Sequence, residues 1–420
     1  MKEDIIAGLD VGSTEIRLVV GQRMNPEDEK IQIIGATAVP AEGISRGVIK
    51  SIDDATSSIS ALLEKAERLI GVPINNVWVS INDPYIKCEC SKGVVAVGRS
   101  SGEIGQDDME RAIDAARALS VPTNYEILHV IPIKYTVDNQ EDVKDPVGMS
   151  GIRLEVEALI IQAMSSQVKN LTKSIYRTGM DVEDLILSPL AAAEAAVTSK
   201  QKDLGVAVLA LGAATTGLAV YEEGRLIHTA ILPMGSEHIT SDIAIGLRCP
   251  INLADRVKLE HGNANPANFN SRDQVDISNL AKEEDVDDDI TNISKKYVAE
   301  IIQARVEEIF EKVDEELNKI DRSGMLPAGA VLTGGGAKLA GIIEVAKEKL
   351  RLPVSIGASK NIDVLIDKVN DPKYMTSLGL VAWGDSMTDK KGGASFFGGK
   401  GTVDKTINKI KDFLSNLTIK

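Results

Sequence analysis

Residues 8–20 and 208–220 form a weak internal repeat, GLDVGSTEIRLVV and VLALGAATTGLAV. Each copy is a short apolar run, a turn with glycine and small or hydroxyl residues, and a second apolar run. This order predicts a β-hairpin whose glycine lets the backbone approach another group closely. Two such hairpins that face each other can hold a polyphosphate with backbone N–H groups and hydroxyls. The repeat therefore predicts two related halves around a phosphate site.

The two copies differ at one chemically important position. Gly12 corresponds to Gly212, but Asp10 corresponds to Ala210. The first hairpin keeps an acid that could hold a metal ion, and the second hairpin has none.

Length and charge limit what the chain can be. At 420 residues it should form two domains or one large bilobal unit with ample material for a core. Its composition, with 43% hydrophobic residues, is that of a globular protein. Its net charge of −15 argues against nucleic-acid binding through bulk charge.

The cysteines and the N-terminus predict a cytoplasmic protein. Cys88, Cys90 and Cys249 lack the partners of a zinc site and are expected to be ordinary reduced thiols. The apolar stretch at residues 5–9 stops at Asp10, so it is too short for a signal peptide. No run approaches the ~18 apolar residues that span a bilayer, although the protein could still lie on a membrane surface.

The first part of the chain alternates strands and helices. Strand patterns near residues 5–11, 15–21 and 31–38 precede an amphipathic helix at about 51–71 and a strand at 76–82. This order of buried strands and a helix predicts an α/β layer fold.

Residues 84–163 interrupt that pattern with strand candidates and one helix near 106–120, which predicts an inserted α+β subdomain. The core pattern resumes with a helix at 166–179, a strand at 184–188 and an alanine-rich helix at 189–197.

The second half contains a long amphipathic helix at about 294–320. The acidic stretch at 262–292 is either a solvated surface excursion, which we favour, or an acidic docking loop. Residues 386–402 are rich in glycine and predict a flexible linker.

A third glycine-rich element lies at residues 330–341, AVLTGGGAKLAG. A strand leads into three glycines, and an amphipathic helix is predicted to start behind them. The glycines leave no side chain to block a planar ring or a ribose, and the helix N-terminus would add N–H donors. The spacing matches neither a Walker A loop nor a dinucleotide fingerprint.

Several motifs together resemble one family. They include GLDVGST, ISRGVIKSI, DPVGMSGIR, LILSPLAAAEAA, LTGGGAKLAG and YMTSLGLVAWG. The chain resembles the actin/Hsp70/sugar-kinase superfamily and, within it, the FtsA family of bacterial actin-like cell division proteins. The resemblance implies an α/β actin-like ATPase fold, with two RNase H-like lobes, an inserted α+β subdomain and a C-terminal amphipathic helix.

The resemblance and the pattern together divide the chain into six segments. Lobe 1 comprises 1–83 and 164–200, the insertion is 84–163, lobe 2 is 201–385 with the glycine turn at 333–336, the linker is 386–402, and the membrane-targeting helix is 403–420.

The resemblance also implies an ATP site with Mg²⁺. Asp10 would face the metal through water. The other residues expected at the nucleotide are Gly12, Ser13 and Thr14 at one phosphate clamp, Gly212, Thr215 and Thr216 at the second, Gly334, Gly335 and Gly336 behind the adenosine, and Asp255 and Lys258 near the ribose. Asp255 and Lys258 could equally form an exposed ion pair between neighbouring helix turns.

The chain departs from the family pattern where catalysis would need acids. The second hairpin lacks both of its usual acids, at Ala210 and Gly217, and Ser188 replaces the acid before the proline of the connecting helix. Because positioning and electrostatics carry most of phosphoryl-transfer catalysis, we predict slow or absent hydrolysis. Ala213 and Ala214 could crowd the phosphates. A degenerate site that still binds ATP is the favoured interpretation, and an empty structural site is the alternative.

The C-terminal segment predicts a helix that lies in a membrane interface. Its apolar residues recur at helical spacing, and lysines lie beside or opposite them. The apolar set is Val403, Ile407, Ile410, Phe413, Leu414 and Leu417, and the basic set is Lys405, Lys409 and Lys411. A coiled-coil seam or a helix docked on its own domain is the alternative, but the glycine-rich linker argues against docking.

The resemblance implies a protein that polymerises on the inner face of the cytoplasmic membrane at the division site. Its implied partners are the C-terminal peptide of FtsZ, further copies of itself, anionic lipids and, through the insertion, other division proteins. The alternatives are a pilus-assembly scaffold of related fold and an actin-fold kinase or chaperone ATPase.

Overall fold

A computed structural model describes residues 5–23, 31–98, 102–118, 121–284, 292–362 and 366–388. The predicted tail helix at 403–420, and the predicted linker from residue 389 onwards, lie outside the described residues.

The first lobe begins with a five-stranded sheet and one long helix. In chain order its elements are β1 (Ile5–Val11), β2 (Glu15–Gln22), β3 (Gln32–Pro40), the short hairpin β4 (Ile44–Ser45) and β5 (Val48–Ile49), α1 (Ile52–Ile70) and β6 (Asn76–Ile81). The predicted helix at 51–71 is confirmed. Ser51 accepts a hydrogen bond from Asp54 N–H, and Gly71 ends the helix at φ 78°.

The insertion follows as an antiparallel sheet with one helix. Its elements are β7 (Lys87–Ala96), α2 (Gln106–Arg117), β8 (Tyr125–Val137), β9 (Gln140–Val143) and β10 (Arg153–Met164), with strand order β7-β10-β8-β9. The helix packs on β7 so closely that a Cβ at Gly93 would collide with the Ala112 carbonyl. Ile131, Leu159 and Ile161 join the core of the first lobe, so the insertion is anchored by buried contacts.

The chain then completes the first lobe. It adds α3 (Ser165–Tyr176), β11 (Asp181–Leu187) and α4 (Ser188–Ala196). The sheet order is β11-β6-β1-β2-β3, with β1, β2 and β3 antiparallel and β1, β6 and β11 parallel.

The second lobe repeats this sheet. Its elements are α5 (Ser199–Leu204), β12 (Val206–Leu211), β13 (Thr216–Glu222), β14 (Arg225–Leu232), α6 (Ser236–Leu247), α7 (Ile251–His261), β15 (Gln274–Asp276), α8 (Ser278–Glu283), β16 (Asn292–Ser294), α9 (Lys295–Asn318), β17 (Ala330–Thr333), α10 (Ile342–Leu350) and β18 (Val354–Ile356), and they are followed by a last helix, α11 (Met375–Thr388). The sheet order β14-β13-β12-β17-β18 has the same strand directions as the first sheet.

The repeat read from the sequence is therefore a repeat of structure. Asp10 pairs with Arg17 across the first hairpin, and Ala210 pairs with Gly217 at the corresponding place in the second. Both hairpin turns consequently lie at the same end of their sheets.

The last helix, α11, returns to the first lobe. It packs on α4, β1, β2 and β6, and its apolar residues lie in the core of that lobe. Gly379 is required at the crossing with α4, because a Cβ there would overlap the Ala191 carbonyl. The chain thus crosses back between the lobes beside the predicted phosphate site.

Candidate functional site

A cleft of about 710 Å³ lies where the two hairpin turns and the glycine turn meet. Of the residues predicted to bind nucleotide, eight line it: Asp10, Gly12, Ser13, Thr14, Gly212, Thr215, Gly334 and Gly335. The structure thus brings together residues that are more than 300 positions apart in the sequence.

The two hairpin turns have the same tight geometry. A Cβ at Gly12 would lie 2.6 Å from the Glu15 carbonyl oxygen, and one at Gly212 would lie 2.9 Å from that of Thr215. Glycine is therefore required at both turns to keep the backbone close to the cleft. The turns leave their backbone groups and small side chains as the surface that a ligand would meet.

The first turn is fixed by the neighbouring loop, and the second by α6. Ser13 Oγ accepts a hydrogen bond from Gly47 N–H at 2.8 Å. The carbonyl of Gly212 accepts one from Ser236 N–H at 2.9 Å, and Ala213 accepts one from Glu237 N–H at 2.8 Å. The second turn therefore caps the first turn of a helix and cannot move independently of it.

Asp10 is nearly buried at the base of the cleft, with 9% of its surface exposed. Its Oδ1 accepts a hydrogen bond from Ser80 Oγ at 2.7 Å, and its Oδ2 lies 3.4 Å from Arg17 Nη1. Burial raises the pKa of Asp10 and outweighs the opposing effects of Arg17 and Ser80. In the protein alone, the charged form of this carboxylate is thus less favoured than it is in water.

A second carboxylate, Glu15, lies between two cations. Its Oε2 is 2.7 Å from Arg17 Nη2 and 3.4 Å from Lys373 Nζ. Although partial burial acts to raise it, the charges of Arg17 and Lys373 lower the pKa of Glu15. All three side chains line the cleft, so its two cations are already partly neutralised by the protein.

One side chain links the two lobes directly across the cleft. Asn82 follows β6 in the first lobe, and its Nδ2 donates a hydrogen bond to Thr215 Oγ1 in the second hairpin. Ser188, which takes the place of the expected acid, also lines the cleft, and its Oγ donates to the Ile81 carbonyl at 3.3 Å. The hydroxyl of Ser188 is thus engaged with backbone.

The glycine turn presents one open backbone position. Gly334 has φ 82° and packs against the Leu211 carbonyl, so only glycine fits there. Among the described residues, no atom lies within 4 Å of where a Cβ of Gly335 would be. Gly336 contacts Leu211 and is not among the residues that line the cleft.

The amphipathic helix predicted behind these glycines is α10, which is separated from them by a short turn. A 3₁₀ turn spans Gly335–Lys338, and the α-helix α10 begins only at Ile342. Gly341, at φ 78°, turns the chain between them. The donors of the α-helix N-terminus therefore lie several residues beyond the cleft.

Three other predicted residues do not line the cleft. The hydroxyl of Thr216 donates to the Met234 carbonyl at 2.7 Å. Lys258 Nζ lies 2.7 Å from Asp255 Oδ1, and both contact Thr240 on α6. Lys258 Nζ also lies 3.5 Å from the carbonyl of Ser236, which does line the cleft. The Asp255–Lys258 pair therefore contacts a residue of the cleft wall without lining the cleft itself. That the pair lies near a bound ribose stays a prediction.

The donor set fits Mg²⁺ only together with a polyphosphate. Within the described residues no group of three histidine, cysteine or acidic side chains could hold a metal ion. Mg²⁺ is commonly bound through one or two carboxylates and the oxygens of a substrate phosphate. Asp10 could supply such a carboxylate, directly or through water, and the ligand would supply the remaining oxygens.

Sequence reasoning missed several side chains of the cleft. Arg17 could have been predicted from the sequence, because in a hairpin with its turn at 12–14 this residue pairs with Asp10 on the opposite strand. Asn82 and Lys373 could not have been predicted in this way, since each reaches the cleft from an element far away in the sequence.

These features define a class of protein. Two lobes with the same sheet topology, related by an internal repeat and separated by a cleft with two glycine hairpins, are the actin-like fold. Solved structures of this fold agree. A PilM–PilN type IV pilus biogenesis complex aligns with a TM-score of 0.63 at 14% identity over 90% of this chain and 97% of that chain. MreB5 of Spiroplasma citri bound to ADP aligns with a TM-score of 0.56 at 12% identity over 93% and 99%.

The chain belongs to the FtsA family of cell division proteins. The family model described as cell division protein FtsA matches residues 207–379, and the SHS2 domain inserted in FtsA matches residues 84–162. Cell division protein FtsA of Bacillus subtilis is 36% identical over 90% of this chain and 83% of its own length. Its counterpart in Pseudomonas aeruginosa is 32% identical over 93% of each.

The predicted family and fold class are thereby confirmed. Among the described residues, no helix is both long enough and apolar enough to cross a membrane.

Proposed function

We propose that this chain is an ATP-binding, actin-like division protein that polymerises on the inner face of the cytoplasmic membrane, anchors the FtsZ ring and recruits later division proteins through its insertion. The observation that carries the proposal is the cleft, where both halves of the internal repeat and the glycine turn meet. Membership of the FtsA family supports the role in division.

The cleft suits a nucleotide with its phosphates between the hairpins. The backbones of the two turns and the hydroxyls of Ser13 and Thr215 would bind phosphate oxygens, and Arg17 and Lys373 would neutralise charge. Gly335 leaves its backbone open for the nucleoside. Binding would hold the two lobes together, because the ligand contacts both.

Calorimetry tests the nucleotide directly. Full-length protein should bind ATP with Mg²⁺, and Arg17→Ala should weaken binding roughly tenfold or more, since it removes a charged partner of the phosphates. Arg68→Ala, which changes an exposed arginine on α1, serves as the control. A wild-type protein that is folded and does not bind ATP would refute this part of the proposal.

Turnover is expected to be slow. The second hairpin places Ala210 where a catalytic acid would lie, and Ser188 is bonded to backbone. No acid on that side of the cleft can therefore orient an attacking water. Sustained ATP hydrolysis at rates typical of a kinase or chaperone would favour the enzyme alternative instead.

Membrane attachment is assigned to residues 403–420. Each apolar side chain contributes ~1.5–3 kcal/mol when fully buried, and each lysine about 1 kcal/mol near an anionic surface. Because the helix is only partly immersed and its ordering costs conformational entropy, much of this favourable free energy is lost. One helix should therefore bind the membrane weakly. Several tails on one polymer would bind far more strongly through effective concentration.

Co-sedimentation with anionic liposomes tests the tail. Deletion of 403–420 should abolish binding, and Ile410→Asp should weaken it strongly because it puts a charge on the apolar stripe. Asn408→Asp adds the same charge on the polar side and is the matched control. Equal binding by the deleted and full-length proteins would rule out this anchor.

Binding to a C-terminal peptide of FtsZ separates the leading proposal from the pilus-scaffold alternative. We expect saturable binding of the peptide and none of a scrambled peptide. A folded protein that does not bind the peptide would contradict the proposal that this chain anchors the FtsZ ring. It would leave the proposal of nucleotide binding unaffected.

A further inference from the structure

A second, smaller pocket of about 340 Å³ lies beside the cleft, in the first lobe. It is enclosed by the short β4–β5 hairpin, the end of β6 and the first turns of α3. Val11, Gly47 and Asn82 line both spaces, so the pocket forms the back wall of the cleft.

Three oxygen atoms on this pocket have no hydrogen-bond partner in the part of the chain that the structure describes. They are Asn82 Oδ1, Asp83 Oδ2 and Gln167 Oε1, and each is buried from solvent. The residue Asp83 as a whole is only 2% exposed. Its other carboxylate oxygen accepts a hydrogen bond from Tyr85 N–H at 2.8 Å, so the side chain is held with one oxygen left for the pocket.

No described residue donates a hydrogen bond to these oxygens. Among the residues that line the pocket there is no lysine, arginine or histidine, and the hydroxyl of Ser80 already donates to Asp10. Leaving a buried acceptor without a partner costs about 1–3 kcal/mol, and more for a charged group. Three such acceptors on one pocket therefore indicate a ligand that satisfies them together.

The chemistry of the three oxygens selects the ligand. A single water can donate only two hydrogen bonds and so cannot satisfy three acceptors, whereas a metal cation is normally coordinated by several oxygens. One carboxylate and two neutral amide oxygens carry a single negative charge, which a monovalent ion balances and a divalent ion exceeds. Mg²⁺ also keeps several waters, and five of the ten lining residues are the apolar Val11, Ile44, Ile49, Ile81 and Leu171.

We propose that Asn82, Asp83 and Gln167 bind a monovalent alkali cation in this pocket. Burial raises the pKa of Asp83, as expected for a carboxylate whose counter-ion is not a protein side chain.

The position of the site gives the ion a structural role. Asn82 uses its Oδ1 for the pocket and its Nδ2 for Thr215 in the opposite lobe. An ion on Oδ1 would fix the orientation of this amide and thereby the contact that spans the cleft. Asp83 and Gln167 do not line the main cleft, so the ion should bind in the absence of nucleotide.

Thermal unfolding of the full-length protein, without nucleotide, tests the proposal in solution. Replacing choline chloride by KCl or NaCl at constant ionic strength should raise the midpoint saturably by roughly 1–3 °C for at least one of the two ions. Asp83→Asn keeps the shape and the acceptor for Tyr85 but removes the charge, so this rise should disappear. Asp181→Asn, at an exposed position at the start of β11, should retain it.

A second variant covers the case in which Asp83→Asn does not fold. Gln167→Met removes one oxygen and keeps the side-chain length, so it should weaken the dependence on the alkali ion severalfold. Equal ion dependence in wild type, Asp83→Asn and Gln167→Met would overturn the proposal, as would a rise seen only with Mg²⁺ or Ca²⁺.

Crystals of the wild-type protein grown with thallium(I), a potassium substitute, give a direct readout. An anomalous peak between Asn82, Asp83 and Gln167 is expected. Ordered water without anomalous signal in the pocket would show that solvent satisfies the oxygens and would refute the ion.

Discussion

Glu15 and Arg17 form the shortest ion pair on the wall of the cleft, with 2.7 Å between Oε2 and Nη2. Lys373 lies on the other side of the same carboxylate at 3.4 Å. The carboxylate therefore occupies the position between two cations that an anionic ligand would seek. In this cleft the protein's own acid competes with phosphate.

Glu15→Gln should consequently tighten ATP binding, by roughly three- to tenfold, which is about 0.7–1.4 kcal/mol. The estimate is modest because Glu15 is partly exposed to solvent, where ion pairs are weak. Titration calorimetry of wild type and variant measures the change, with Glu64→Gln on the exposed face of α1 as control.

The same titration without Mg²⁺ distinguishes a competitor from a metal ligand. If Glu15 only competes with phosphate, Glu15→Gln should also bind ATP more tightly than wild type in the absence of Mg²⁺. Weaker binding of Mg²⁺–ATP by Glu15→Gln, with unchanged binding of free ATP, would show that Glu15 helps to hold the metal and that our interpretation is wrong.

Gly335→Ala should separate ligand binding from folding. No atom of the described segments lies within 4 Å of the position of the new Cβ, and the backbone there does not need positive φ, so the unfolding midpoint should stay within about 1 °C. The methyl group would project into the space assigned to the nucleoside. We expect ATP affinity to fall roughly tenfold, because adding a carbon group to a well-packed site typically costs about 1–3 kcal/mol.

Unchanged ATP affinity in folded Gly335→Ala would mean that the nucleoside does not lie on this turn. Gly334→Ala is the informative contrast, because a Cβ there meets the Leu211 backbone at positive φ. That variant should be destabilised whether or not nucleotide binds.

Asp10 makes the stability of the empty protein depend on pH. Burial raises its folded-state pKa above the unfolded value of about 3.8. The folded state therefore favours the protonated form, and stability is lost as pH rises through the folded pKa. Asp10→Asn cannot ionise, so the difference in unfolding midpoint, variant minus wild type, should grow from pH 4 to pH 7.

Urea unfolding at both pH values in the absence of nucleotide measures this difference. Asp107→Asn, an exposed acid in the first turn of α2, should show no comparable trend. A difference that shrinks with rising pH would mean that Arg17 dominates and that Asp10 is stabilised as an anion.

The sequence was sufficient where local patterns decide the structure. The hairpins, the helix capped by Ser51 and Gly71, and the insertion follow from periodicity, turn residues and composition. The glycines were found because close backbone approach leaves few other choices.

The rest depends on contacts between distant segments, which periodicity does not encode. Lys373 reaches Glu15 from the loop before α11, and Asn82 reaches Thr215 from the other lobe. The sequence also contains no sign of the 3₁₀ turn that separates the glycines from α10. Only the packed tertiary structure determines these features.

Arg225 joins the insertion to the second lobe and offers the last prediction. From the start of β14 it donates to the Ile133 carbonyl at 3.1 Å and to Asp142 at 2.9 Å, both in the insertion, and to Glu223 in its own hairpin at 2.7 Å. Its side chain is only 15% exposed. Since Ile131, Leu159 and Ile161 of the insertion also pack in a core that contains the first-lobe sheet, this contact makes the insertion sensitive to the position of the second lobe.

Arg225→Ala should therefore loosen the insertion without unfolding the lobes. Hydrogen exchange should rise in β8 and β9 and stay unchanged in β1 and β12, because only the former lose a partner. Arg153→Ala, which removes a more exposed arginine that pairs with Glu155 inside the insertion, is the control. If nucleotide closes the lobes through this contact, ATP should slow hydrogen exchange in β8 and β9 of the wild-type protein and should not slow it in Arg225→Ala. If ATP slows exchange equally in both proteins, Arg225 does not connect nucleotide binding to the insertion.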